Sequence, residues 1–180
     1  MTKIPWKEFS HIWATESSFM SFLRGGIRRS LWSRSPIKLE FLKKHKKKIV
    51  NPNPRGKLRE VFGATCEICN KDFPMKDIEV DHRQGGHSLR QLSDLQAFIE
   101  GIVCVTFDDL AILCKPCHKA KTLAEKNGTS IEEAIVEKKV IQIMKDKQDK
   151  QFLIDNGVVP ASNQKLRREQ VKEALSAKRD

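Results

Sequence analysis

The sequence predicts an α-rich α+β protein, and three observations carry that expectation. Apolar residues recur at helical spacing over several long stretches, and two short runs rich in β-branched or aromatic residues are flanked by turn formers. Two Cys-x-x-Cys pairs, Cys66/Cys69 and Cys114/Cys117, stand far apart. At 180 residues the chain is long enough for one modest domain with extensions, or for two small units sharing a limited core. Hydrophobic residues make up 39% and charged residues 32%, which predicts a thin apolar interior under a large polar surface.

Taken in order, Phe19, Met20, Phe22, Leu23, Ile27 and Leu31 predict a helix over Glu16 to Leu31, weakened in its middle by Gly25-Gly26. Pro36 opens a second helix, Ile37 to about Lys47, with Leu39 and Leu42 inward and lysines outward. Residues 1–50 therefore read as a basic helical arm, and the turn-dense Asn51-Pro52-Asn53-Pro54-Arg55-Gly56 reads as a linker over 51–57. A core module is expected over 58–128, with a helical extension over 129–180. Within the core, Leu58 to Ala64 and Ile78 to Asp81 are the expected strands. A helix is expected from Ser93, with Gln96 completing its capping box and Gly101 ending it. Another runs from Pro116 to Asn127-Gly128. Ser130 with Glu133 opens a helix to about Lys145, Lys147 to Asn156 forms a short one closed by Gly157, and Asn163 to Ala177 forms a solvated last helix.

Thirty-four Lys and Arg against twenty-three Asp and Glu give a formal charge of +11, a field that attracts polyanions. Nucleic acid is the natural partner, although charge alone separates it poorly from an anionic membrane or from simple solubility. Arg28, Arg29, Lys43, Lys44, Lys46, Lys47 and Lys48 are the candidate phosphate contacts, with a purely solvated charge run as the competing reading. Trp6, Trp13 and Trp32 are expected in core packing rather than in base stacking. No apolar leader and no membrane span are found, so a cytoplasmic protein without a membrane partner is expected. In that reducing compartment paired cysteines are metal ligands, and Cys104 is left over to pack as a small apolar residue.

Four thiolates from Cys66, Cys69, Cys114 and Cys117 can close a tetrahedral site with no position open to substrate, which is the pattern of a structural Zn²⁺. Between Cys69 and Cys114 lie 44 residues, far more than in an ordinary zinc ribbon. The metal would clasp the base of a sizeable insertion and hold its contents rigidly.

That insertion contains Val80-Asp81-His82, and the second pair is continued by His118-Lys119-Ala120-Lys121-Thr122. An Asp-His pair ending a strand, followed by Cys-x-x-Cys-His-x-x-Lys-Thr opening a helix, resembles the zinc-stapled ββα-metal core of the HNH endonucleases. The resemblance covers about Cys66 to Thr122, roughly a third of the chain. The arm and the helical tail are similar, more loosely, to those of short phage-encoded HNH proteins.

The resemblance implies metal-dependent hydrolysis of DNA to 5′-phosphate and 3′-hydroxyl ends, one strand per active site. It implies Asp81 and His118 as ligands of one catalytic Mg²⁺, Mn²⁺, Ni²⁺ or Zn²⁺, and His82 as general base. The family's orienting Asn falls, by spacing, on Asp109. A carboxylate accepts the same hydrogen bond but cannot donate as an amide does, and it adds negative charge beside metal and base. His87 either contacts a phosphate or is an ordinary loop histidine, and Lys121 either reaches the scissile phosphate or faces solvent. DNA is the expected partner, with phage proteins or a second copy of the chain left open. The competing expectation is a catalytically decayed zinc-containing DNA-binding protein, or a packaging-associated interaction protein.

Overall fold

Thr15, Ser35 and Ser130 each cap a helix with a side-chain oxygen. The computed structural model describes residues 3–54, 58–85 and 88–177. A single turn, α1 (Pro5–Glu8), precedes α2 (Glu16–Ile27), where Thr15 Oγ1 accepts from the Ser18 N–H at 3.2 Å and Ser18 Oγ accepts from the Thr15 N–H at 3.3 Å. Gly25 and Gly26 lie inside α2, and the chain then widens into a π turn over Arg28–Trp32. Ser35 caps α3 (Pro36–His45) by accepting from the Lys38 N–H, with Pro36 in the first turn, where no N–H is needed.

After α3 the structure departs from the expected linker. Lys47–Val50 is a strand, β1, antiparallel to β2 (Glu60–Thr65), which pairs on its other edge with β3 (Asp72–Pro74). Residues 51–54 and 58–59 belong to a hairpin connection, in which the Asn51 N–H donates to the Arg59 carbonyl at 2.9 Å and Asn51 Nδ2 to the Leu58 carbonyl at 3.0 Å. Pro, Asn and Gly mark hairpin loops and linkers alike, and only the pairing of the flanking strands separates the two. Residues 55–57 lie outside the described part of the chain.

The second sheet is the antiparallel pair β4 (Ile78–His82) and β5 (Leu110–Cys114), with Ile78 opposite Cys114 and His82 opposite Leu110. Every residue of β5 is buried, so Leu-Ala-Ile-Leu-Cys shows no alternation to mark it as a strand. Between β4 and β5 lies α4 (Leu95–Val103), preceded by a 3₁₀ turn over Leu92–Asp94. The expected Ser93/Gln96 box does not form: Asp94 Oδ2 accepts from the Arg90 and Gln91 N–H groups at 2.8 and 3.1 Å, and Gln96 donates to Glu100 instead. Gly101 lies within α4 rather than ending it.

The chain packs as two compact units, Met1–Lys115 and Pro116–Asp180. In the first, Phe41, Ala64, Ile78, Val80, Val105, Leu110 and Ile112 form one core, with Trp32, Ile37 and Leu42 packed on it. Met20, Leu89, Phe98 and Ile102 form another. The expected arm over 1–50 is therefore not a separate module. Burying side chains of this size contributes on the order of 1.5–3 kcal/mol each, which the amphipathic helices cannot forgo by standing free.

The second unit carries α5 (Lys115–Asn127) from Pro116 onward, then α6 (Ile131–Lys145), α7 (Asp149–Asp155) and α8 (Gln164–Ala177). The expected boundary at 128 falls inside this unit, because Ala120 and Ala124 of α5 pack against Ala134 of α6. Gly128 and Gly157 follow α5 and α7 with φ of +63° and +73°, a conformation that costs other residues a Cβ clash. Ser130 and Glu133 form the predicted capping box. The last helix is not merely solvated, since Val171 is fully buried with Val140 and Leu153. Among the described residues no helix is long and apolar enough to cross a membrane.

A buried ion pair ties α7 to α8: Arg167 Nε donates to Asp149 Oδ2 at 2.5 Å, and Arg167 Nη1 donates to the Ala161 and Ser162 carbonyls. The Arg167 hydrogen bond, opposed by burial and helped by the guanidinium charge, holds the Asp149 carboxyl below the usual carboxylate range. Because the folded-state value is depressed, its stabilisation is complete above the unfolded value of about 3.9 and is lost as pH falls through the folded value. Asp149→Ala leaves a part-buried guanidinium with only carbonyl partners and is expected to cost about 1–3 kcal/mol near neutral pH. Urea melts should show the gap from wild type narrowing on acidification.

Candidate metal centre and the cleft beside His82

The first cysteine pair sits on the turn after β2. Cys66 N–H donates to the Lys71 carbonyl and the Asn70 N–H donates to the Cys66 carbonyl, both at 2.9 Å, with Asn70 at φ +54° closing the knuckle. The second pair lies where β5 passes into α5. The four sulfurs of Cys66, Cys69, Cys114 and Cys117 all lie within 4.8 Å of one another, and Cys66, Cys114 and Cys117 are buried. Zn–S bonds of about 2.3 Å in a tetrahedron place sulfurs roughly 3.8 Å apart, so the cluster fits a four-thiolate structural metal such as zinc. Burial pushes the Cys66 thiol up, but the backbone groups of Cys114, Cys69 and Ile68 and the Cys69 side chain pull it down further, to about 7. Such backbone donors stabilise a thiolate, the ligand form. Cys104 is exposed rather than packed, and it is not part of this cluster.

Asp81 and His82 end β4, and alternation along the strand sends them to opposite faces. The His82 ring is stacked on the Trp32 indole, with centroids 4.3 Å apart and planes 26° from parallel. His82 Nε2 is buried from solvent. Lys38 of α3 holds its ammonium 4.8 Å from the centre of the Trp32 ring. Burial lowers the pKa of Lys38, while the charges of Glu79 and Asp81 oppose that shift.

His82 opens onto a cleft of about 560 Å³, lined also by Arg83, Gln84, Glu100, Cys104, Asp108 and Asp109. Asp109 contributes to it in two distinct ways. Its Oδ2 accepts from the Thr106 N–H at 2.7 Å and from Thr106 Oγ1 at 2.8 Å, capping a 3₁₀ turn over Phe107–Asp109. Those bonds, the backbone one first, hold its carboxyl below the usual range against the effect of burial, and His82 adds to them when it is protonated. Its backbone carbonyl accepts from the Arg83 N–H at 2.7 Å, fixing the residue after His82. The Asp109 carboxylate is thus bonded to Thr106, and the main chain at Asp109 is what anchors the loop after His82.

Glu67, inside the first cysteine knuckle, connects that knuckle to the same loop. Its N–H donates to the Ile112 carbonyl at 2.9 Å, its Oε1 accepts from the Ile112 N–H at 2.8 Å, and its Oε2 accepts from Arg83 Nη1 at 2.5 Å. Trp32, Lys38, Glu67 and Arg83 were not singled out by spacing. Arg83 had one available signal, its place directly after His82, whereas the other three reach the site through tertiary contacts.

His118 is half-buried in the first turn of α5, directly after Cys117. Thr122 Oγ1 donates to the His118 carbonyl at 3.0 Å. Lys121 is buried and paired with Glu125, so its ammonium is already engaged on its own helix. Of the basic candidates, Arg28, Arg29, Lys43, Lys44, Lys46, Lys47 and Lys48 are all exposed. Lys47 pairs with Asp72 at 2.8 Å and Lys48 with Glu60 at 3.5 Å, while Arg28, Lys44 and Lys46 lie over the rings of Phe98, Phe107 and Phe62. Exposed pairs of this kind are worth at most about 1 kcal/mol and exchange readily for a phosphate. His87 lies outside the described residues.

No family model matches the chain, and no curated protein or solved structure does either. The class defined by the fold and the site is a helix-rich α+β protein with small sheets and a four-cysteine cluster compatible with a structural metal.

Proposed function

We propose that this protein is a metal-dependent DNA endonuclease of the HNH type, its structural zinc held by Cys66, Cys69, Cys114 and Cys117. The observation that carries the reading is one run of elements: Asp81-His82 ends β4, β4 pairs with β5, and β5 leads through Cys114 and Cys117 into a helix bearing His118. That order of strand, strand and helix around a cysteine cluster supports the reading, because it is the order a ββα-metal core requires.

Asp81 and His118 would hold a catalytic divalent cation, since a carboxylate and an imidazole suit Mg²⁺, Mn²⁺, Ni²⁺ or Zn²⁺ alike. When bound, the ion supplies positive charge for the phosphoryl oxygens and the departing 3′-oxygen. The neutral His82 imidazole takes the proton of the attacking water. Stacking on Trp32 restricts the ring to one plane, which is the orienting work an Asn side chain would otherwise do. Hydrolysis leaves a 5′-phosphate and a 3′-hydroxyl, and a single such site cuts one strand.

The test is nicking of supercoiled plasmid by full-length protein with Mg²⁺, Mn²⁺ or Ni²⁺, with EDTA as control. Open circles that need the metal are the expected product. A protein that binds DNA but leaves the plasmid intact under every metal would instead be a zinc-containing DNA-binding protein, the reading that the capping role of the Asp109 carboxylate favours.

A further inference from the structure

The cleft beside His82 poses an electrostatic problem for a DNA substrate. Glu100, Asp108 and Asp109 all line it, and a phosphodiester entering among three carboxylates is repelled. Arg83 is the one Lys or Arg side chain among the described lining residues.

Two contacts, one from its main chain and one from its side chain, place this exposed arginine. The main chain is held by the Asp109 carbonyl at 2.7 Å, and one guanidinium nitrogen, Nη1, is held by Glu67 at 2.5 Å. Glu67 is itself bonded to both backbone groups of Ile112 and belongs to the cysteine knuckle, so the guanidinium is tethered to a turn that is anchored on β5. A guanidinium carries five N–H donors, and an anchor on one nitrogen leaves Nε and Nη2 able to make the two-pronged contact that phosphate oxygens accept. Preorganisation of this kind removes much of the rotamer entropy that an unanchored surface arginine loses on binding.

We propose that Arg83 is a catalytic residue that grips the scissile phosphodiester in this cleft, with Glu67 as its positioning residue. The proposal rests on the endonuclease reading for the word catalytic, but the phosphate contact is measurable without cleavage. Each phosphate neutralised on duplex DNA contributes about 0.9 to the slope of log K against log[salt].

The experiment measures binding of a short DNA duplex to the full chain by fluorescence anisotropy over a salt series in Ca²⁺, and plasmid nicking in Mg²⁺ or Mn²⁺. Wild type is compared with Arg83→Gln, or with Arg83→Met should the first not fold, and melting temperature and zinc content verify integrity. The expected result is a salt slope shallower by about one phosphate and a nicking rate at least tenfold lower. A variant with the wild-type slope and affinity overturns the proposal, as does a wild-type protein without affinity for DNA. If wild type binds DNA without nicking it while Arg83→Gln loses the slope, the phosphate contact stands and the endonuclease reading falls. If wild type nicks and Arg83→Gln keeps both slope and rate, the endonuclease reading stands and Arg83 is overturned.

Discussion

Cys66→Ser is expected to unfold the region around the cysteine cluster and to abolish stoichiometric zinc. Cys66 is fully buried, its sulfur lies within 4.8 Å of the other three, and the knuckle it opens carries Glu67, which bonds to β5 and to Arg83. A serine hydroxyl is a poor zinc ligand, and without the ion the three remaining thiols, of which Cys114 and Cys117 are buried, lose the partner that compensates their desolvation. Structural zinc sites contribute on the order of 10–16 kcal/mol in small domains, as much as the 5–15 kcal/mol by which whole proteins are stable. Loss of one ligand is therefore expected to remove the cooperative melting transition of the first unit rather than to shift it by a few degrees. Zinc determination on purified protein, with thermal melts of wild type and variant, measures this directly. Equal melting temperatures, or wild-type protein purified without metal and still folded, would sink the assignment of a structural site.

His82→Ala is the second large effect, and here the loss should be in rate and not in binding. A positioned general base contributes about 10²–10⁴ to a hydrolytic rate, so nicking should fall by that factor at saturating DNA while affinity for the duplex stays within about twofold. The substitution also removes a ring stacked on Trp32, a contact worth on the order of 1 kcal/mol, so the assay belongs well below the melting temperature. Asp81→Ala should cost at least as much, and raising the metal concentration should restore little of it if the carboxylate is a ligand. Wild-type nicking by His82→Ala would show that the reaction, if present, uses another base.

Much of the fold was legible because its signals are local. Ser130 and Glu133 sit three residues apart and meet on one helical turn, and Gly128 and Gly157 stop helices by backbone freedom alone. The strands failed where the signal is not local. β5 is apolar throughout because both its faces are covered, and β1 hides in a lysine run because Lys47 and Lys48 point their charges to Asp72 and Glu60 across the sheet. The arm looked separable for a similar reason: nothing in residues 36–46 says that Phe41 will pack on Val80 and Leu110.

The candidate site divides the same way. Spacing alone determined that two cysteine pairs could chelate one ion, that Asp81-His82 would end a strand, and that His118 would stand at the start of a helix, since each is a matter of residues a few positions apart. Tertiary structure alone decided that Trp32 stacks on His82, that the Asp109 carboxylate caps a turn while its carbonyl holds Arg83, and that Glu67 ties the knuckle to the cleft. Those contacts join residues distant along the chain or separated by a fold in it. Their partners are chosen by how the sheets and helices pack, a choice that no short stretch of sequence records.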